Sequence, residues 1–269
     1  MLNCSLLVST YNWPEALEVC LLSIAKQSVK PDEIIICDDG SRSQTEELIN
    51  PMRDIFSVPL IHIWQPDEGF QLSKIRNKGI STARGEYIIQ VDGDLILHRH
   101  FIKDHLSFHK KGFFTTGSRM LLSPETTENI LKATSTDIKG HSKGNKNYLN
   151  SRRIPFLHNF FSLRYKNKGR HKYYVKGCNM AFWKEDLLRV NGYNEDFSGW
   201  GREDSEIAIR LMNAGVQKRF LKFGGVCYHL FHKENSKAME EKNIQMMKEA
   251  IDKKTCRSHK GLDQYFTPG

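Results

Sequence analysis

Glu33-Ile34-Ile35-Ile36-Cys37-Asp38-Asp39-Gly40-Ser41 is the stretch whose reading decides the fold class. A short β-branched run stops at two carboxylates and a glycine, the pattern of a buried strand emptying into a turn. Runs at 4–9 (Cys-Ser-Leu-Leu-Val-Ser), 60–64 (Leu-Ile-His-Ile-Trp) and 86–91 (Glu-Tyr-Ile-Ile-Gln-Val) share its length and content. Between the first two runs, Pro14 suits a first helical position and Leu17, Cys20, Leu21 and Ile24 recur at helical spacing. Leu72, Ile75, Gly79 and Ile80 do the same before the last run. This alternation predicts parallel pairing through right-handed crossovers, hence an α/β sheet covered on both faces.

Further along, a His-rich helix is expected at about 98–111 and a strand at 113–120. Residues 123–172 mix Gly, Asn, Lys and Ser with weak periodicity and read as an insertion or mobile loop. Regular signals return with a strand in Tyr174–Trp183, a short helix at 184–190, a helix at 203–214 closed by Gly215, a strand at 217–229 and a charged amphipathic helix at 236–254.

Composition narrows the class. Of 269 residues, 39% are hydrophobic and 26% charged, which excludes wholesale disorder and small disulfide-stapled scaffolds. No run approaches the ~18 to 20 apolar residues of a membrane span. The first residues lack a basic segment and read as a core strand, not a signal peptide. The six cysteines (4, 20, 37, 178, 227, 256) are scattered without a CxxC pair, as expected of buried reduced thiols in a cytosolic protein. The net charge of +9 is concentrated: residues 131–176 hold twelve Lys/Arg against Asp137 alone, a net of +11, so the rest carries −2. A nucleic-acid partner would need a basic face across the fold, so none is expected.

Open α/β sheets bind ligands beyond the carboxyl ends of their strands. There the first strand runs into Thr10-Tyr11-Asn12, the second into Asp38-Asp39-Gly40-Ser41 and the fourth into Asp92-Gly93-Asp94. Such carboxylates repel unless something positive joins them, and Mg²⁺ or Mn²⁺ bridging to a diphosphate is the economical answer. Gly93 allows a tight turn that aims both acids at one ligand. Alone, Asp-Gly after a strand is ordinary turn chemistry. There is no GxGxxG after the first strand and no GxxxxGK[ST], which counts against dinucleotide and P-loop chemistry.

The second half supplies the complement. Gly199-Trp200-Gly201-Arg202-Glu203-Asp204-Ser205-Glu206 opens a helix, and Val226-Cys227-Tyr228-His229-Leu230-Phe231-His232 ends a strand. First-turn acids also complement a helix dipole, and a lone histidine is ordinarily structural. Together they match a metal-dependent transferase, one carboxylate acting as general base and an imidazole as an extra metal ligand.

At these residues the sequence resembles family 2-type glycosyltransferases of the GT-A fold, from Leu2 to about Asn235. The resemblance rests on Val8-Ser9-Thr10-Tyr11-Asn12, Ile36-Cys37-Asp38-Asp39-Gly40-Ser41, Gly69-Phe70-Gln71-Leu72-Ser73-Lys74-Ile75-Arg76-Asn77, Asp92-Gly93-Asp94 and Trp200-Gly201-Arg202-Glu203-Asp204, in that order. The Trp-Gly-x-Glu-Asp element is similar to the C-terminal module of galactosyl- and N-acetylgalactosaminyltransferases, also found in bacterial chondroitin-type polymerases.

The resemblance implies a mostly parallel twisted sheet flanked by helices, with a nucleotide-binding half (about 1–97) merged with an acceptor half (98–235) in one domain, and a charged helix and tail at 236–269. Thr10 and Tyr11 would line the nucleotide pocket, Asp38 or Asp39 would accept from uracil, and Arg76 would hold the nucleotide side of the cleft. Asp92 would contact ribose or sugar, Asp94 would ligate Mn²⁺ or Mg²⁺, and His232 with His229 would complete the metal site. Asp204 would deprotonate the acceptor hydroxyl, Glu203 would position a sugar, Trp200 would offer its face to a sugar ring, and the segment with Gly177 and Asn179 would lie under the donor sugar. A carboxylate at Asp204 implies inversion at the anomeric carbon.

The implied partners are a UDP-sugar, with galactose or N-acetylgalactosamine favoured, and the hydroxyl of a surface glycan or lipid-linked oligosaccharide. Arg202 would salt-bridge the neighbouring acids or recognise an anionic acceptor. His98, His100, His105 and His109 lack a HExxH arrangement and read as surface helix histidines. Residues 131–176 read first as a solvated loop, then as a contact with an anionic leaflet on the inner face of the cytoplasmic membrane, then as a contact with an acidic glycan. The competing functions are a nucleotidyltransferase, for which Thr10-Tyr11-Asn12-Trp13-Pro14 is no phosphate loop, and a non-catalytic polyanion-binding module, which would leave the acids without a role.

Overall fold

Along β1 (Cys4–Thr10), alternate side chains enter opposite layers. Leu6 and Val8 pack with Leu17 and Leu21, while Leu7 packs with Ile75 and Ile80. A strand buried on both faces must be apolar throughout, which is why these runs do not alternate with polar residues. The computed structural model describes residues 2–138, 143–233 and 238–266, with Arg170 described by its backbone alone.

The chain continues through α1 (Pro14–Ala25), β2 (Glu33–Asp38), α2 (Ser43–Met52), β3 (Leu60–Trp64), α3 (Leu72–Thr82) and β4 (Tyr87–Asp92). Next come β5 (Leu95–Leu97), α4 (Phe101–Phe108), β6 (Phe113–Thr116), β7 (Met120–Leu121), α5 (Pro124–Ala133) and α6 (His158–Phe161). β8 (Asn179–Trp183), α7 (Lys184–Arg189), α8 (Glu203–Asn213), β9 (Gln217–Phe220), β10 (Cys227–His229) and α9 (Glu240–Asp252) complete it. The main sheet has seven strands in the order β3-β2-β1-β4-β8-β6-β9. Its first four strands pair in parallel, and β8 runs antiparallel to both β4 and β6. α1 and α2 cover one face, and α3, α7 and α8 the other.

A second sheet of three short strands, β5-β10-β7, had no counterpart in the sequence reading. The strand expected at 217–229 is two strands in different sheets. Between β9 and β10 the chain turns through Phe223 (φ 60°) and Gly225 (φ 53°), left-handed conformations that interrupt a strand. The strand expected at 113–120 is likewise split into β6 and β7, and β8 begins only at Asn179. Residues 123–172 are not a featureless loop: Ser123 Oγ accepts from Thr126 N at 3.2 Å and Pro124 follows, a capped start for α5. Residues 139–142 of that stretch lie outside the described residues, as does the expected boundary at 235/236. Among the described residues no helix is long and apolar enough to cross a membrane, and all six cysteines are free, with only Cys256 exposed.

Candidate active site

The small sheet brings together acids and imidazoles distant in sequence. β10 pairs antiparallel with β5, so His229 lies opposite Leu95, one residue after Asp94. Leu230 N donates to the Asp94 carbonyl at 3.0 Å and locks the two strand ends together. Nε2 of His229 and Nε2 of His232 each lie 3.2 Å from Asp94 Oδ2. These three ligand atoms fall within 4.8 Å of one another.

The protonation of this cluster favours a cation. His232 Nδ1 is 2.7 Å from the Lys233 carbonyl, which only accepts, so Nδ1 carries the proton and Nε2 offers a lone pair toward Asp94 when the ring is neutral. Burial pushes the His229 imidazole down to about 4, against the pull of Asp94. Burial opposes the Asp94 charge, but His229 and His232 more than offset it and hold the carboxyl below its usual range. The Asp94 hydrogen bond raises His232 against its own burial. Asp94 Oδ1 is buried without a hydrogen-bond partner. Converging acceptors of this kind need a proton or a metal ion between them, and one carboxylate with two imidazoles suits Mn²⁺ or Zn²⁺ as donors. Asp94, His229 and His232 therefore fit a divalent ion.

Beside this cluster, Arg76 is buried and each of its three nitrogens donates to a partner. Nη1 donates to Asp204 Oδ1 at 2.9 Å, Nη2 to Asp92 Oδ1 at 3.0 Å, and Nε to Ser9 Oγ at 3.2 Å. Its charged carbon stands 5.3 Å from the centre of the Tyr193 ring. Arg76 thus positions Asp92 and Asp204 from inside the fold. Tyr193 donates to Gln90 Oε1 at 2.9 Å, and Gln90 donates to the Gly177 carbonyl at 2.8 Å. The Asp204 carboxylate lies directly against Gly177, where any β-carbon would collide with both carboxylate oxygens. Gly93 is similarly confined, its N–H bonded to the Ser9 carbonyl at 2.7 Å.

Glu203 is buried next to Asp204, with Oε2 unpartnered. Burial, reinforced by the Asp204 charge, pushes its carboxyl up to about 8 despite Arg76 nearby. Trp200 is partly exposed, on a loop whose Gly199 N–H bonds the Phe70 carbonyl at 3.2 Å. Arg202 turns away from both acids and donates to Glu240 Oε1 on α9 at 3.0 Å.

On the other flank, the ends of β1 and β2 carry Thr10, Tyr11, Asp38 and Asp39. Tyr11 is half exposed, and its hydroxyl donates to Asp67 at 2.9 Å. Asp38 is occupied inside the fold, accepting from Ser41 N at 2.8 Å and facing His62 Nε2 at 3.0 Å. Asp39 accepts from Gln71 N at 2.8 Å and Gln65 Nε2 at 2.6 Å, and burial raises its carboxyl to about 6.

Asn179 does not join the site. It is fully buried, its amide donating to the Ser118 and Gly225 carbonyls at 2.8 and 2.9 Å while Oδ1 faces His105 Nε2 at 3.0 Å. His105 is accordingly a core residue, contrary to its reading as a surface histidine. The sequence reading missed Arg119, whose Nη1 lies 3.1 Å from Cys178 Sγ and whose charge acts on Asp92 and Asp94. It also missed Tyr193 and Gln90. No motif flanks Arg119, and only the pairing of β7 with β10 brings it near the acids.

Comparison with known proteins shows the family and the fold. The model of glycosyl transferase family 2 matches residues 5–189, and that of the N-terminal domain of galactosyltransferase matches residues 157–233. Chondroitin synthase of Escherichia coli is 25% identical over 241 residues, covering 84% of this chain but 34% of the synthase, so the chain spans about a third of that relative. S. aureus TarS in complex with UDP-GlcNAc superposes with a TM-score of 0.66 at 17% identity, covering 98% of this chain and 69% of the TarS chain. The mannosyltransferase PcManGT from Pyrobaculum calidifontis, in complex with GDP-Man and Mn²⁺, gives 0.59 at 17% identity over 87% of this chain and 58% of the other. With its family's model matched over more than half its length, on a mostly parallel sheet of the GT-A type, the chain belongs to glycosyl transferase family 2.

Proposed function

We propose that this chain is an inverting, divalent-metal-dependent glycosyltransferase, moving galactose or N-acetylgalactosamine from a UDP-sugar to a hydroxyl of a surface glycan or lipid-linked oligosaccharide. The observation that carries the reading is the junction of Asp204 and Asp92 on Arg76 beside the Asp94–His229–His232 cluster. A fold neighbour that holds UDP-GlcNAc supports a UDP-sugar donor.

Each residue then has a task. Asp94, His229 and His232 would hold Mn²⁺ or Mg²⁺, and such an ion supplies positive charge where a departing diphosphate gains negative charge. Arg76 fixes Asp204 Oδ1, leaving Oδ2 to accept the acceptor's proton as it attacks the anomeric carbon from the face opposite the diphosphate. Glu203, protonated near neutral pH, donates to a sugar hydroxyl and does not compete as base. Asp92 keeps its second oxygen for ribose or sugar, Gly177 lies under the donor, and Trp200 offers a ring face. Asp38 or Asp39, with Thr10 and Tyr11, receives the nucleoside at the ends of β1 and β2.

Leu149, Phe156, Phe160 and Leu163 stand exposed within the basic segment, supporting peripheral attachment to the anionic inner leaflet, where its acceptor would be presented. A panel of UDP-sugars assayed for Mn²⁺-dependent UDP release tests the transferase reading. Release from UDP-galactose or UDP-N-acetylgalactosamine is expected. Release of diphosphate from a nucleoside triphosphate instead would favour a nucleotidyltransferase, and binding of polyanions without any turnover would favour a non-catalytic module.

A further inference from the structure

A cavity of about 480 Å³ lies within the ~300 to 1,000 Å³ range of pockets that take small ligands. Among the described residues, those that line it fall between Gly117 and Lys222 and none is Asp or Glu. Arg119, Lys166, Lys176 and Lys222 face it together with Tyr165 and Tyr174.

Arg119 Nη1 lies against Cys178 Sγ, and the three lysines are held by rings and a neutral oxygen. Lys166 Nζ stands 4.2 Å and Lys176 Nζ 5.3 Å from the centre of the Tyr174 ring, and Lys222 Nζ stands 5.0 Å from that of Tyr165. Lys222 also donates to Asn150 Oδ1 at 2.9 Å. Among the described residues, no ion pair to a carboxylate involves these three lysines. Burial lowers the pKa of all three, with the neighbouring cations adding to it at Lys176 and Lys222. Like charges gathered in a half-buried cavity repel, and an anion entering it would relieve that repulsion.

The cavity also adjoins the chemistry. Lys176 precedes Gly177, against which Asp204 rests, and Leu121 of the lining is the register partner of His229. We infer that this cavity is a subsite for an anionic sugar of the acceptor, one bearing a carboxylate or phosphate, with tyrosine faces stacking on the ring and the Arg119–Lys166–Lys176–Lys222 set reading its charge. The assignment to the acceptor, though not the anion site itself, rests on the transferase reading above.

The test is binding, measured by calorimetry on the full chain without turnover. The probes are an oligosaccharide ending in glucuronic acid, one of equal length ending in a 6-phosphorylated hexose, and the carboxyl-reduced neutral form of the first. At least one anionic probe should bind tenfold or more tightly than the neutral one, and Lys166→Gln and Lys222→Gln should each reduce that preference to within about threefold while UDP affinity holds. Equal affinity for all three probes, or a preference intact in both variants, overturns the proposal. So does binding confined to phosphatidylglycerol vesicles, which would make the cavity a lipid headgroup site. Anionic preference with no UDP-sugar turnover would sink the transferase reading and leave the cavity standing; turnover without the preference would do the reverse.

Discussion

Arg76 and Asp204, 128 residues apart in the chain, meet at 2.9 Å in the interior and join the two halves of the molecule at the site of the chemistry. The same guanidinium holds Asp92, so one buried cation sets the spacing between the strand-end acids and the acid of α8. Removing it would leave two partly buried carboxylates uncompensated. Arg76→Ala should cost about 3 to 5 kcal/mol in denaturant unfolding, and Arg76→Lys, which cannot reproduce the fork, should recover only part of it. A loss under about 1 kcal/mol for Arg76→Ala would mean the triad is not holding the halves together.

Asp204→Asn keeps the shape and can still bond to Arg76 through its amide oxygen, but it cannot take up a proton. Turnover should fall by about 10² to 10⁴-fold, the usual worth of a general base, while UDP affinity stays near parental. Steady-state rates set beside UDP calorimetry check this, and a defect confined to UDP binding would move Asp204 out of the base role.

Gly177→Ala probes the same carboxylate from below. The added methyl must displace Asp204, because no space separates the glycine from it. The variant should lose turnover nearly as fully as Asp204→Asn while retaining the Asp94–His229–His232 affinity for Mn²⁺. Parental turnover would show that the Asp204 carboxylate is free to sit elsewhere.

Glu203 carries a signature in stability. Its carboxyl is raised from 4.5 to about 8, so between those values the folded state binds the proton that the unfolded state has released. Stability from this group is therefore present below pH 4.5 and is lost as pH rises toward 8, at up to about 1.4 kcal/mol per unit. The raised Asp39 carboxyl acts in the same direction but only up to about pH 6. Urea midpoints at pH 6.5 and 8 should fall for the parent and fall less for Glu203→Gln. Equal slopes would show that Glu203 is already ionised at pH 6.5.

The first four strands were legible because parallel strands buried on both faces must be apolar runs, as Leu6-Leu7-Val8 and Ile34-Ile35-Ile36 are. The pairing of β5, β7 and β10 into a second sheet was not, since strands of two or three residues carry no periodicity and tertiary contacts decide their partners. Asp94, His229 and His232 were still found, as each lies at or near a strand end, where side chains converge whether or not the strand is recognised. Arg76 was singled out, but its ion pairs were not. Its surroundings come from Asp92 and Asp204, which no local pattern links to it. Arg119 and the lysine cavity follow from how residues 117–222 fold back on themselves, and composition showed only that the segment was basic.

In the proposed function, Asp94, His229 and His232 hold one divalent ion needed for sugar transfer. UDP release from the best donor, measured after EDTA treatment and again after adding Mn²⁺, in the parent and in Asp94→Asn, tests it most directly. The account predicts that the chelator abolishes release, that Mn²⁺ restores it in the parent and that Asp94→Asn stays inactive. Undiminished release in the chelator would contradict it.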